Sequence, residues 1–67
     1  MNPAKILVDI FRESGSSTII DYQLIQEYVG FDIRQGKQYL MKIVKRELER
    51  EGRYISPIRG QGYYINQ

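Results

Sequence analysis

Eight side chains in the second half of this chain carry hydrogen-bond donors at suggestive spacings. Gln35, Lys37, Gln38, Lys42, Lys45 and Arg46 fall in one stretch, and Arg59 and Gln61 belong to the segment Ile58-Arg59-Gly60-Gln61-Gly62. Lys and Arg donate to phosphate oxygens and to guanine O6 and N7, while Gln pairs with the adenine edge. Gln38, Lys42, Lys45, Arg46 and Glu49 recur at three- and four-residue steps, which gathers them on one face of a helix. Lys42 and Arg46 stand four apart and repel slightly in an isolated helix. A repulsive cluster kept on one face favours an anionic partner over an ordinary solvated surface. Lys37 is expected at the edge of the helix's core face, where it reaches phosphate or snorkels. Arg34 and Arg53 are similar cases, whereas Arg50 has Glu47 and Glu49 within pairing distance in sequence.

The chain has no His and no Cys, so no nucleophile, base and orienting group form a recognisable set, and no thiolate or imidazole metal site can be built. No catalytic residue, cofactor or metal is expected. The six tyrosines invite a stacking role on single-stranded bases. Structural use is the better reading for most: Tyr28 falls on an apolar helical face and is expected in the core. Tyr54, Tyr63 and Tyr64 lie in β-rich runs, with alternation burying one of Tyr63 and Tyr64. Tyr39, beside Gln38, could touch a thymine methyl or a phosphate.

The elements that must position these groups follow from periodicity and caps. At 67 residues, 42% hydrophobic and 27% charged, the chain is expected to form one domain spanning residues 1–67. Asn2-Pro3 is a helix start, and Ile6, Leu7, Ile10 and Phe11 make an apolar face through Glu13. Ser14-Gly15 should end that helix, with Gly15 left-handed. Ser16 to Ile20 is β-branched and short, a brief strand or extended linker. Asp21 caps a second helix whose buried stripe is Leu24, Ile25, Tyr28 and Val29, and Gly30 stops it. Asp32 caps again, with Gln35 at capping-box spacing, so a third helix is expected from there to about Glu51, with Gly52 as its stop. Its core face is Leu40, Met41, Val44 and Leu48. Gly36 in its first turn costs up to about 1 kcal/mol against Ala. Two β-rich runs then bracket Arg59-Gly60-Gln61-Gly62 as a hairpin, with Pro57 confining its strand to a sheet edge.

Charge is divided unevenly. Residues 1–33 carry two cations against five acids, and residues 34–67 carry eight cations against three acids, for a net charge of +2. A basic half on a small domain attracts a phosphate backbone. No apolar run approaches the ~20 residues of a membrane span, and the start MNPAKILVDI lacks the features of a signal peptide, so a cytoplasmic protein with no membrane partner is expected.

Helix, short strand, helix, helix and hairpin is an α+β order. With Gly30-Phe31-Asp32 as a short connection, it outlines a helix-turn-helix followed by a wing. The residues that carry a family likeness are Ile19-Ile20-Asp21-Tyr22-Gln23-Leu24-Ile25-Gln26-Glu27-Tyr28-Val29-Gly30, the basic-apolar run Gln38 to Leu48, and above all Ile55-Ser56-Pro57-Ile58-Arg59-Gly60-Gln61-Gly62-Tyr63. Over about residues 16 to 66 the chain resembles the winged helix-turn-helix effector domains of OmpR/PhoB-type response regulators, without a receiver domain. The resemblance implies three helices plus a C-terminal β-hairpin wing, with a short strand between the first two helices. It also implies a small phage or prokaryotic transcriptional regulator that binds double-stranded DNA, nucleoid-associated when bound. The third helix would enter the major groove with Gln38, Lys42 and Lys45 at base and phosphate contacts, and Arg59 would reach the minor groove. Further partners would be a second copy, as a dimer or in tandem, and RNA polymerase or another regulator. Two alternatives stand beside it: a winged-helix protein-interaction adaptor, and an architectural protein that binds DNA without sequence preference.

Overall fold

In the computed structural model, which describes residues 2–66, the chain runs α1 (Pro3–Glu13), β1 (Ile19–Asp21), α2 (Tyr22–Val29), α3 (Tyr39–Arg50), β2 (Tyr54–Ile58) and β3 (Gly62–Asn66). It is an α+β arrangement of three helices and a three-stranded antiparallel sheet in the order β1-β3-β2. The Asn2 side chain accepts from the Ala4 N–H at 3.0 Å, and Asp21 accepts from the Leu24 N–H at 2.8 Å, so α1 and α2 start where their caps place them.

Gly15 does not end α1. Ser14 does, in an extended conformation, by donating its hydroxyl to the Ile10 carbonyl at 2.8 Å; the left-handed residue of that link is Ser17, φ 64°. Gly30 closes α2 at φ 86° as expected, donating to the Gln26 carbonyl at 2.8 Å. The buried stripe of α2 is narrower than expected. Ile25 is fully buried, Leu24 and Val29 partly so, and Tyr28 is 56% exposed rather than in the core. A helix of about two turns packed on one side has little buried surface to offer, and a buried phenol would need a partner for its hydroxyl.

The largest departure is at α3, which begins at Tyr39 and not at Asp32. Asp32 does accept hydrogen bonds, but from the Arg34 N–H at 2.9 Å and, through its carbonyl, from the Gln35 N–H at 3.0 Å. These close a single turn over 33–36 that ends at Gly36, φ 81°. A left-handed glycine costs nothing there, whereas inside a helix it would lose about 1 kcal/mol. The capping box therefore does not form, and the connection between α2 and α3 runs through residues 30–38. Ile33, buried to 1% exposure, pins this connection to the core. The other end of α3 is a Schellman stop: the Arg53 N–H bonds the Leu48 carbonyl at 2.9 Å, and that of Gly52 bonds the Glu49 carbonyl at 3.1 Å.

Leu7 and Phe11 of α1, Ile25 of α2, Ile33 of the link, Val44 and Leu48 of α3, Ile55 of β2 and Ile65 of β3 form the centre of one apolar cluster. Each fully buried side chain of this kind contributes about 1.5–3 kcal/mol. Among the described residues, no polar or charged residue is buried with it. The register Ile55↔Ile65 and Ile20↔Tyr63 keeps the inward residues of all three strands facing the helices. Tyr63 packs edge-on against both Phe11 and Tyr22, and Tyr64, opposite Ile19, is also half-buried, so the expected division of that pair into one buried and one exposed is incomplete.

The two glycines of the hairpin differ in purpose. Gly60 sits at φ 72° in the turn closed by the Gln61 N–H on the Ile58 carbonyl at 3.0 Å, a position where other residues are strained. Gly62 lies in β3 opposite both Asp21 and Ile58. A Cβ there would collide with the Ile20 carbonyl and come within 2.6 Å of the Asp21 Cα. Only a residue without a side chain lets β1 lie this close.

Candidate functional site

The face of α3 turned from the core carries Lys42, Lys45 and Arg46, all exposed. Beside it, Gln38, Met41, Lys42 and Lys45 on one wall and Ile55, Pro57, Tyr63 and Tyr22 on the other enclose a shallow groove of about 360 Å³. Strand β2 thus stands along α3. A larger and more open depression of about 630 Å³ lies along α2 near Gln23, Gln26, Glu27 and Gly30, but its one cation, Arg34, is already engaged.

Six of the eight sequence-selected residues were expected on one helix. Lys42, Lys45 and Arg46 are. Gln38 is the N-cap of α3, with helical backbone angles and no side-chain cap bond. Gln35 and Lys37 are not on the helix: Gln35 belongs to the 33–36 turn, and Lys37 lies in the link, where its carbonyl accepts from the Leu40 N–H at 3.1 Å. Both are exposed just before the start of α3. Arg59 and Gln61 occupy the hairpin tip, also exposed. The Gln61 carbonyl accepts from the Tyr22 N–H at 3.1 Å, which ties the tip to the first turn of α2.

Ion pairing divides the eight cations of residues 34–67 into two groups. Arg34 pairs with Asp32 at 3.1 Å and lies 4.7 Å over the Tyr22 ring. Arg50 pairs with Glu47 at 3.2 Å, and Arg53 approaches Glu51 at 3.9 Å while donating to the Arg12 carbonyl. Arg34 and Arg53 are therefore occupied within the fold. Lys37, Lys42, Lys45, Arg46 and Arg59 have no acidic partner among the described residues. All five were sequence-selected, and they cluster on α3, the link before it and the hairpin tip.

The paired groups titrate accordingly. The hydrogen bond from Arg34 holds the Asp32 carboxyl below its usual range, and the hydrogen bond from Arg12 does the same for Glu51. Burial, reinforced by Tyr22, pushes the Tyr63 phenol up to about 12. Tyr22 is the residue that sequence reasoning passed over. It braces Tyr63, holds Arg34 and borders the groove. Its signal was its place three residues before Ile25, on the buried side of α2.

No helix among the described residues is long and apolar enough to cross a membrane. Comparison with protein-family models, curated proteins and solved structures finds no match to this chain.

Proposed function

We propose that this chain is a small winged helix-turn-helix protein that binds double-stranded DNA sequence-specifically and regulates transcription. The single observation that carries the proposal is the segregation of unpaired positive charge. Among the described residues, five of the six cations without an acidic partner lie on α3, its lead-in and the hairpin tip, Lys5 of α1 being the sixth, while the neighbouring arginines engage in internal pairs. An unpaired cluster carries a repulsive cost in the free protein, and an anionic backbone removes it.

In this mechanism α3, 12 residues and so about 18 Å long, lies in the major groove. Lys37 and flanking lysines take phosphates and fix the register, while side chains of the outward face read base edges. The hairpin places Arg59 toward the adjacent minor groove, where a narrow A·T-rich tract concentrates negative potential. One module of this kind covers roughly 600–1,000 Å², so tight binding calls for two copies on adjacent half-sites. RNA polymerase or another regulator would then be a secondary partner.

Fluorescence anisotropy with a labelled duplex pool at two salt concentrations tests the proposal. Binding is expected to weaken steeply with salt, and Lys45→Ala and Arg59→Ala are each expected to weaken it further, with Arg50→Ala unchanged. No binding at low salt would remove the DNA proposal. The protein-interaction adaptor would then take its place, since Tyr39 and Ile43 expose apolar surface on the same helix.

A further inference from the structure

Two large apolar side chains stand out on α3: Tyr39, 54% exposed, and Ile43, 45% exposed. At about 100° per residue, Tyr39, Lys42, Ile43 and Arg46 share a sector of about 100° on the side opposite Leu40, Met41, Val44 and Leu48. Gln38 and Lys45 sit to one side of that sector, toward Pro57 and the hairpin. The stripe that projects farthest from the core is therefore mixed, two apolar groups interleaved with two unpaired cations.

Single exposed apolar residues are ordinary on a protein surface. Here, however, Tyr39 stands on the outward line of the helix, and Ile43, about 40° further round toward α1, stays exposed although Ala4 and Val8 of α1 lie beside it. A partner must offer acceptors and small apolar groups in alternation at this scale. The major groove does so: guanine presents O6 and N7, and thymine presents its C5-methyl. Tyr39 to Arg46 spans about 10 Å along the axis, or about three base-pair steps.

Building on the DNA-binding proposal, we infer that Tyr39 and Ile43 are specificity-determining residues that read thymine methyl groups, with Lys42 and Arg46 reading guanine between and beside them. The preferred site then holds thymine and guanine within one stretch of three to four base pairs under α3. Gln38 and Lys45 act at the flank, chiefly on phosphate.

The test uses the best-bound duplex recovered by selection from a randomised pool. Each thymine is replaced in turn by deoxyuridine, which deletes the methyl and leaves the pairing groups in place. Loss of one buried methyl is expected to weaken binding about fourfold at one or two positions. Tyr39→Ala and Ile43→Ala are expected to weaken binding to the thymine duplex and to lose the sensitivity at their own position. Lys42→Ala is expected to weaken binding yet keep that sensitivity. Circular dichroism melting of each variant confirms that the fold persists. If the parent selects a site but binds every deoxyuridine duplex as tightly as the parent duplex, the inference fails while DNA binding stands. It fails in the same way if the two alanine variants retain the methyl sensitivity. If the parent binds no duplex at low salt, both fail together, and Tyr39 and Ile43 are better read as a protein contact.

Discussion

The two ends of α3 use the same residue types for opposite purposes. At its C-terminal end Arg12 of α1 donates to Glu51 at 3.0 Å, Arg53 donates to the Arg12 carbonyl, and Arg50 pairs with Glu47. Positive charge there is consumed in joining α1 to the end of α3 and in one pair within the helix itself. Toward its N-terminal end and along its outward face, Lys37, Lys42, Lys45 and Arg46 have no such partner among the described residues. Cation content therefore says little about which arginine meets a ligand. What distinguishes the two regions is whether an acid is in reach: Glu47 stands three residues from Arg50 and Glu51 two from Arg53, and one further cation, Arg12, joins Glu51 across 39 positions in sequence.

The comparison can be broken most severely through the scaffold. Gly62→Val should be the most damaging change, because its side chain would drive β1 off β3 where the two backbones meet. A loss of about 3 kcal/mol, at the upper end of overpacking effects, is expected in a denaturant titration. DNA binding should fall only as far as folding does.

Next in size is removal of the unpaired group. Lys42→Ala, Lys45→Ala and Arg46→Ala together should lower duplex affinity by a hundredfold or more at low salt, on the order of 1 kcal/mol for each cation, while the melting temperature stays or rises. Singly, Lys45→Ala should reduce the slope of log K against log salt by about 1, and Arg53→Ala should leave it unchanged.

The paired end should respond to pH instead. Glu51 has its folded value lowered chiefly by the hydrogen bond from Arg12. Its contribution is present above the unfolded carboxylate value and is lost as pH falls through the lower folded one. Arg12→Ala should flatten that acid limb in a series of thermal melts. At the alkaline side, the Tyr63 contribution is full below the ordinary tyrosine value of 10.0 and is lost as pH rises through about 12; Tyr63→Phe should remove that alkaline loss. The smallest effect sharpens the contrast: Lys42→Ala alone should stabilise the free protein by about 0.3 kcal/mol, since it removes a like-charge pair with Arg46. Arg50→Ala should shift stability in the opposite direction.

Local chemistry in the chain was enough to locate α1, the start of α2, the end of α3 and the hairpin. Asn2, Asp21, Gly30 and Gly52 act within a few residues of where they stand, and apolar spacing reports on a face without reference to what covers it. The exposed basic residues of α3 were readable for the same reason. Other features depended on contacts between distant segments. Gly36 looked like a tolerated helical glycine until the burial of Ile33 showed a separate turn. Tyr28 satisfied the apolar spacing of α2 but lies beyond what the core covers. Gly62 resembled a second turn residue, and its need for a missing side chain comes from β1, joined to it only when β3 takes the centre of the sheet. The pairing of Arg12 with Glu51, 39 positions apart, was decided in the same way, whereas Arg34, Arg50 and Arg53 pair with acids two or three residues away. Caps, periodicity and most of the ion pairs are set by neighbours along the chain, whereas close approach and burial are set by whichever groups folding brings alongside.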